Sequence, residues 1–160
     1  MANKGTSRMR ANILLDTIKS KMNGHLTAIP KDIGDKWVYA EVSVNSSGDL
    51  LTTGNDFLES GAPLATDDTV EWIAIKNTST TATEGICICL DGGTAAFDLP
   101  DGIFIGAGEM ICLKINKVTL ANLHAASITM NEFYGYTTSA SSTAVTVQVA
   151  AIIDDTSYVP

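Results

Sequence analysis

The sequence predicts a mainly β protein: an antiparallel β-sandwich, jelly-roll-like in its strand number, preceded by an N-terminal arm containing one short helix. Three observations predict it. Val, Ile and Thr make up 43 of the 160 residues, and branched side chains pack well on a pleated surface. After Pro30, apolar and polar positions alternate with a period of two in one segment after another. These segments recur at intervals of about 8–12 residues between glycine- and aspartate-rich turns, the spacing of sandwiches and barrels.

The arm is residues 1–30, and its helix is expected at about 9–22. Leu14, Leu15, Ile18 and Met22 fall at i, i+1, i+4 and i+8, one stripe of a helix; Lys19 and Lys21 face away and Gly24 supplies the stop. So narrow a stripe needs cover, from its own domain or from a neighbouring subunit.

Residues 31–160 form the sandwich domain. In Lys36–Val44, Val38, Ala40, Val42 and Val44 alternate with Trp37, Tyr39, Glu41 and Ser43. Thr69–Asn77 repeats the pattern, with Ile73 and Ile75 opposite Val70, Trp72 and Ala74. Gly85–Leu90 sets Ile86, Ile88 and Leu90 on one face and Cys87 and Cys89 on the other; a strand apolar on both faces belongs in the middle of a sheet. Thr94–Leu99, Ile103–Ile105, Met110–Ile115, Ala125–Met130 and Thr143–Ile153 complete a set of eight, with one helical turn expected in Val118–Leu123. Eight is the number of a jelly roll, and a looser two-sheet sandwich reads the same way. Strand order is not encoded in this pattern.

Asn45–Asp68 is a 24-residue stretch rich in Gly, Ser, Thr and Asp. Loops of that length inside compact domains bind something or carry small elements of their own. Leu50, Leu51, Phe57 and Leu58 are too apolar for a solvated loop and are expected on the domain or against a partner.

Size and charge bound the function. A chain of 160 residues fits one domain. Apolar residues are 45% and charged residues 18%, which excludes a disordered chain, and no apolar run approaches the ~20 residues of a membrane-spanning helix. The opening MANKGTSRMRANILL has only Ile13–Leu15 as a continuous apolar stretch, short of a secretory leader. A soluble protein made in a cytosol is expected. The net charge of −8 hides a segregation: residues 1–36 hold seven basic side chains against three acidic ones, whereas residues 37–160 hold three against fifteen. An acidic body repels nucleic acid, so no nucleic-acid partner is expected for it.

Signatures of catalysis are missing. There is no G-x-S-x-G, H-E-x-x-H, P-loop or C-x-x-C. Gly106-Ala107-Gly108 lacks the third glycine and helix of a dinucleotide fingerprint and is a turn. Cys87, Cys89 and Cys112 are expected as buried, reduced thiols. His124, just before a strand, is expected as a hydrogen-bonded structural imidazole, and His25 as a charge near the end of the helix. The acids Asp67, Asp68, Asp91, Asp98, Asp101, Asp154 and Asp155 match no calcium loop and suit turn capping. No catalytic residue, metal or cofactor is expected.

The run Trp72-Ile-Ala-Ile-Lys-Asn-Thr, the strand Ile86-Cys-Ile-Cys-Leu-Asp-Gly-Gly, the hairpin Ile103-Phe-Ile-Gly-Ala-Gly-Glu-Met and the segment Leu120-Ala-Asn-Leu-His-Ala-Ala-Ser-Ile resemble the small β-sandwich virion proteins of tailed bacteriophages. The resemblance spans about residues 69–153 and rests on texture and strand order. It implies a capsid decoration (cement) protein, or a tail, baseplate or fibre component. Such proteins commonly work as trimers with terminal arms reaching into neighbours, and they bring no catalytic residues with them.

Abundant Ser and Thr, few charges and a basic arm also suit a protein whose task is to make contacts. The leading expectation is a homotrimer on the capsid surface of a virion, anchored by its arm on the major capsid protein after synthesis in the host cytoplasm. Arg8 and Arg10 are the expected charged anchors, because guanidinium forks match carboxylates, and Leu14, Leu15 and Ile18 the apolar ones. A carbohydrate-binding sandwich is the competing class; its candidate platform is Phe133-Tyr134-Gly135-Tyr136.

Overall fold

The computed structural model describes residues 5–14, 19–28, 35–45, 48–51, 64–91, 102–129 and 143–154. Two strands come first, β1 (Gly5–Leu14) and β2 (Lys19–Ala28), an antiparallel pair in continuous register from Gly5 opposite Ala28 to Leu14 opposite Lys19. This corrects the helix expected at about 9–22, since residues 9–14 and 19–22 lie in strands. The physical reason is marginal helix stability: an isolated helix shorter than ~12–15 residues is barely stable in water, and packing must supply the rest. Pairing two ten-residue strands satisfies the backbone locally. Gly24, read as a helix stop, stands opposite Met9 within the ladder.

Among the described residues, eight strands form the body: β3 (Lys36–Val44), β4 (Gly48–Asp49), β5 (Thr69–Asn77), β6 (Glu84–Cys89), β7 (Ile103–Ile105), β8 (Met110–Thr119), β9 (His124–Thr129) and β10 (Val145–Asp154). They make two antiparallel four-stranded sheets, ordered β3-β10-β5-β8 and β4-β9-β6-β7. Among these strands, only β6 and β7 are both consecutive and in the same sheet; every other step in sequence passes from one sheet to the other. β3, β5 and β7 lie where the alternation places them, and β6, apolar on both faces, is flanked by β9 and β7. β4 falls inside the expected long loop, and the expected strand Thr94–Leu99 lies outside the described residues.

The core lies between the sheets. From the first sheet, Val42, Val147, Val149, Ala151, Ile73, Ile75, Ile111 and Leu113 occupy inward positions of adjoining strands, and from the second Ile86, Ile88, Ile103, Ile105 and Ala125 face them. Leu50 and Leu51 are fully buried in this cluster, as their apolarity requires; Phe57 and Leu58 lie outside the described residues. Each fully buried aliphatic side chain contributes about 1.5–3 kcal/mol relative to exposure. A bulge in β5 between Val70 and Trp72 breaks the parity of the sequence pattern, so Val70 joins the core while Trp72 faces outward.

Polar ties close the ends. Asn77, fully buried, donates from Nδ2 to the carbonyl oxygens of Glu84 (3.0 Å) and Ile105 (3.3 Å), and its Oδ1 accepts from the Ser79 N–H (2.9 Å). It therefore joins an end of β5 to β6 and β7 of the opposite sheet. Buried Asp68 accepts from the Ala65 N–H (2.9 Å), and its carbonyl accepts from the N–H of Leu120, which opens a single 3-10 turn, Leu120–Asn122, where one turn is expected. Gly106-Ala107-Gly108-Glu109 is the predicted turn, closed by the Glu109 N–H donating to the Gly106 carbonyl; Gly108 has φ of +74°, a value glycine adopts without steric cost.

Candidate functional site

Functional surface has to be sought on the sheet faces that the core leaves over. On the outer face of β3-β10-β5-β8, register aligns three rows across the strands. Trp37, Ile152, Trp72 and Lys114 form one; Tyr39, Ala150, Ala74 and Cys112 the next; Glu41, Gln148, Lys76 and Met110 the third. The rings of Trp37 and Trp72 meet edge to face over Ile152, centroids 5.7 Å apart and planes at 67°. Trp72, Cys112 and Ile152 are buried, and the cluster they form includes half-buried Leu26 of β2. The hairpin thus touches the body at this face. Among the described residues Trp72 Nε1 is buried with no hydrogen-bond partner, a condition that costs roughly 1–3 kcal/mol.

Lys76, Lys114 and Lys117, all the cations of residues 37–160, lie on two adjacent strands of this sheet, β5 and β8. Lys76 and Lys114 are exposed on its outer face. Sequence reading missed this concentration. The lysines stand out in an acidic stretch, but only the pairing of β5 with β8 brings them together.

The outer face of the second sheet is apolar and tight: Cys87, Cys89, Ala126 and Ile128 are buried and pack with Phe104. Burial pushes the Cys87 thiol up to about 11, and the neighbouring Cys89 adds to the effect. Cys89 donates from Sγ to Asp91 Oδ1 at 2.6 Å. The Cys87 thiol, so raised, stays protonated at neutral pH and is a poor nucleophile. All three cysteines are buried thiols, as expected from their spacing. His124 opens β9 with Nε2 hydrogen-bonded to the Ala121 carbonyl (2.9 Å), the structural role expected of it. No group of three His, Cys, Asp or Glu among the described residues is placed to hold a metal ion.

Of the anchors expected on the arm, Arg8, Arg10 and Leu14 all lie on β1, opposite His25, Asn23 and Lys19. A strand spreads them: Arg8 and Leu14 stand about 20 Å apart along it at ~3.4 Å per residue, where a helix would have gathered Leu14, Leu15 and Ile18 on one stripe. Leu15 and Ile18 lie outside the described residues, as do Phe133, Tyr134, Gly135 and Tyr136.

Comparison of the chain with protein-family models, with curated proteins and with solved structures finds no match.

Proposed function

We propose that this chain is a virion structural protein that decorates a capsid shell, binding the major capsid protein as a trimer through its basic arm. The order β3-β10-β5-β8 over β4-β9-β6-β7 supports it: eight strands so arranged make a jelly roll, a sandwich used by viral capsid proteins and also by lectins and cupins. One observation carries the proposal. The basic segment forms a two-stranded sheet of its own, whose strands pair with neither sheet of the acidic body and which meets that body through Leu26.

In this role Arg8 and Arg10 engage carboxylates of the shell, and Leu14, Leu15 and Ile18 add apolar area. Binding the assembled shell but not its dissociated subunits shifts the equilibrium toward assembly by mass action. Three linked arms raise the effective concentration of the second and third attachments, so weak single contacts suffice.

Electron microscopy of virions with the protein labelled tests the proposal. Label spread over the shell is the expected result. Label confined to the tail replaces it with a tail, baseplate or fibre role, and absence from particles refutes it.

A further inference from the structure

We propose that the β1-β2 hairpin is a two-faced ribbon, its uncharged face seated on the body and its basic face a docking surface for an acidic patch on a partner protein. The choice of partner rests on the arm being the contact element proposed above; the division into faces does not.

Register fixes the faces. In an antiparallel pair, residues opposite each other share a face and successive residues alternate. Pairing is continuous from Gly5 opposite Ala28 to Leu14 opposite Lys19, so one parity holds along the whole ribbon. The basic residues of the two strands are Arg8, Arg10, Lys19, Lys21 and His25, and neither strand holds an acidic residue. All five fall on one face: Arg8 stands opposite His25, Arg10 opposite Asn23, Lys21 opposite Asn12 and Lys19 opposite Leu14. The other face carries no charge, and Met9, Ala11, Ile13, Met22 and Leu26 lie on it.

One contact tells which face meets the body. Half-buried Leu26 packs against the cluster of Trp72, Cys112 and Ile152 on the outer face of the β3-β10-β5-β8 sheet. Leu26 belongs to the uncharged face, so the basic face is the one turned from that sheet. Stability favours this arrangement. A two-stranded hairpin is marginal alone in water and needs an apolar face packed on something, whereas cations set against an apolar cluster lose hydration without gaining partners.

Charge and apolarity together select the partner. Arg8 to Arg10 and Lys19 to Lys21 are steps of about 7 Å along their strands, and the face spans about 20 Å from Arg8 to Leu14. Guanidinium forks match carboxylates. Residues 37–160 hold fifteen acidic side chains against three lysines. A phosphate polymer running past the ribbon therefore enters a field of its own sign, while a carboxylate patch on a protein can end where the ribbon ends. Leu14, the large aliphatic residue of the basic face, stands opposite Lys19 and adds apolar area of the kind a protein surface matches.

Poly-L-glutamate, titrated into the full-length chain across a salt series, is the probe. Saturable binding at low salt is expected for the wild type. Asn12→Glu, on the basic face, should weaken it about tenfold, and Lys21→Gln should weaken it in the same direction. Ser20→Glu makes the same charge change as Asn12→Glu, but on the uncharged face opposite Ile13, and should leave binding within about twofold. Ser7→Glu, opposite Leu26, is expected to lift the ribbon and shift tryptophan emission to longer wavelength; Asn12→Glu should not. Circular dichroism checks that each variant folds. Equal weakening by Asn12→Glu and Ser20→Glu overturns the proposal. So does binding to duplex DNA but not to poly-L-glutamate, which makes the face a nucleic-acid surface, or salt-sensitive self-association in its place, which makes the partner a second copy. Shell coating by a chain that ignores poly-L-glutamate sinks this surface alone, whereas poly-L-glutamate binding by a chain absent from virions sinks the decoration role alone.

Discussion

The Asn77 side-chain amide donates to the Ile105 carbonyl oxygen at 3.3 Å, a hydrogen bond from the end of β5 in one sheet to the end of β7 in the other. The same amide donates to the Glu84 carbonyl, and its oxygen accepts from the Ser79 N–H. One fully buried side chain thus satisfies backbone groups of three segments where the sandwich turns from β5 into β6.

Asn77→Ala is expected to lower unfolding free energy by about 2–4 kcal/mol, because it strands buried polar groups as well as removing their bonds. Asn77→Asp should be at least as harmful, since it sets a carboxylate against two carbonyl oxygens. Urea denaturation followed by tryptophan fluorescence measures both. A loss under 0.5 kcal/mol, roughly the scale of an ordinary surface substitution, would show that the junction is not structural.

The turn between β7 and β8 offers a backbone test. Gly108 has φ of +74°, and a Cβ there would meet no atom within 4 Å, so Gly108→Ala introduces conformational strain without a clash. The expected cost is about 1–2 kcal/mol by the same denaturation assay, and Gly108→Asn should cost less because asparagine tolerates that region.

Cys87 makes a pH-dependent prediction. Its thiol is raised to about 11 in the folded chain from an ordinary value of 9.0. The folded state therefore holds the proton more tightly than the unfolded state. The stabilisation is complete below pH 9 and is lost as pH rises toward 11. Thermal midpoints of the wild type and Cys87→Ala should converge or cross over that window, with a constant difference at lower pH. Parallel curves throughout would contradict the burial of this thiol.

Leu26 links the hairpin to the body. Leu26→Ala should cost about 1 kcal/mol, the value of a half-buried aliphatic contact, and should shift tryptophan emission to longer wavelength as water reaches Trp37 and Trp72. Unchanged emission would mean that β2 does not cover this face.

Local alternation made the body legible. In β3 the five residues Ala40–Val44 switch between apolar and polar, and in β5 the four residues Thr69–Trp72 do. The Cys87/Cys89 face of β6 likewise announced an interior strand. Three features were hidden for physical reasons. β4 is two residues long, too short to show a period. The bulge after Val70 changes parity, which no count of alternation reveals. The arm misled because four apolar residues at helical spacing also fit in strands, and the choice was decided by long-range pairing such as Met9 with Gly24. The cations of β5 and β8 were visible as three isolated lysines, but their adjacency depended on strand order, a property of contacts distant in sequence.

The most direct test is co-sedimentation of the full-length chain with undecorated shells, comparing wild type with Arg8→Glu/Arg10→Glu across a salt series. The decoration role predicts saturable binding at low salt that weakens as salt screens the arm, and its loss in the charge-reversed variant. Equal binding by the two proteins, unaffected by salt, would contradict it.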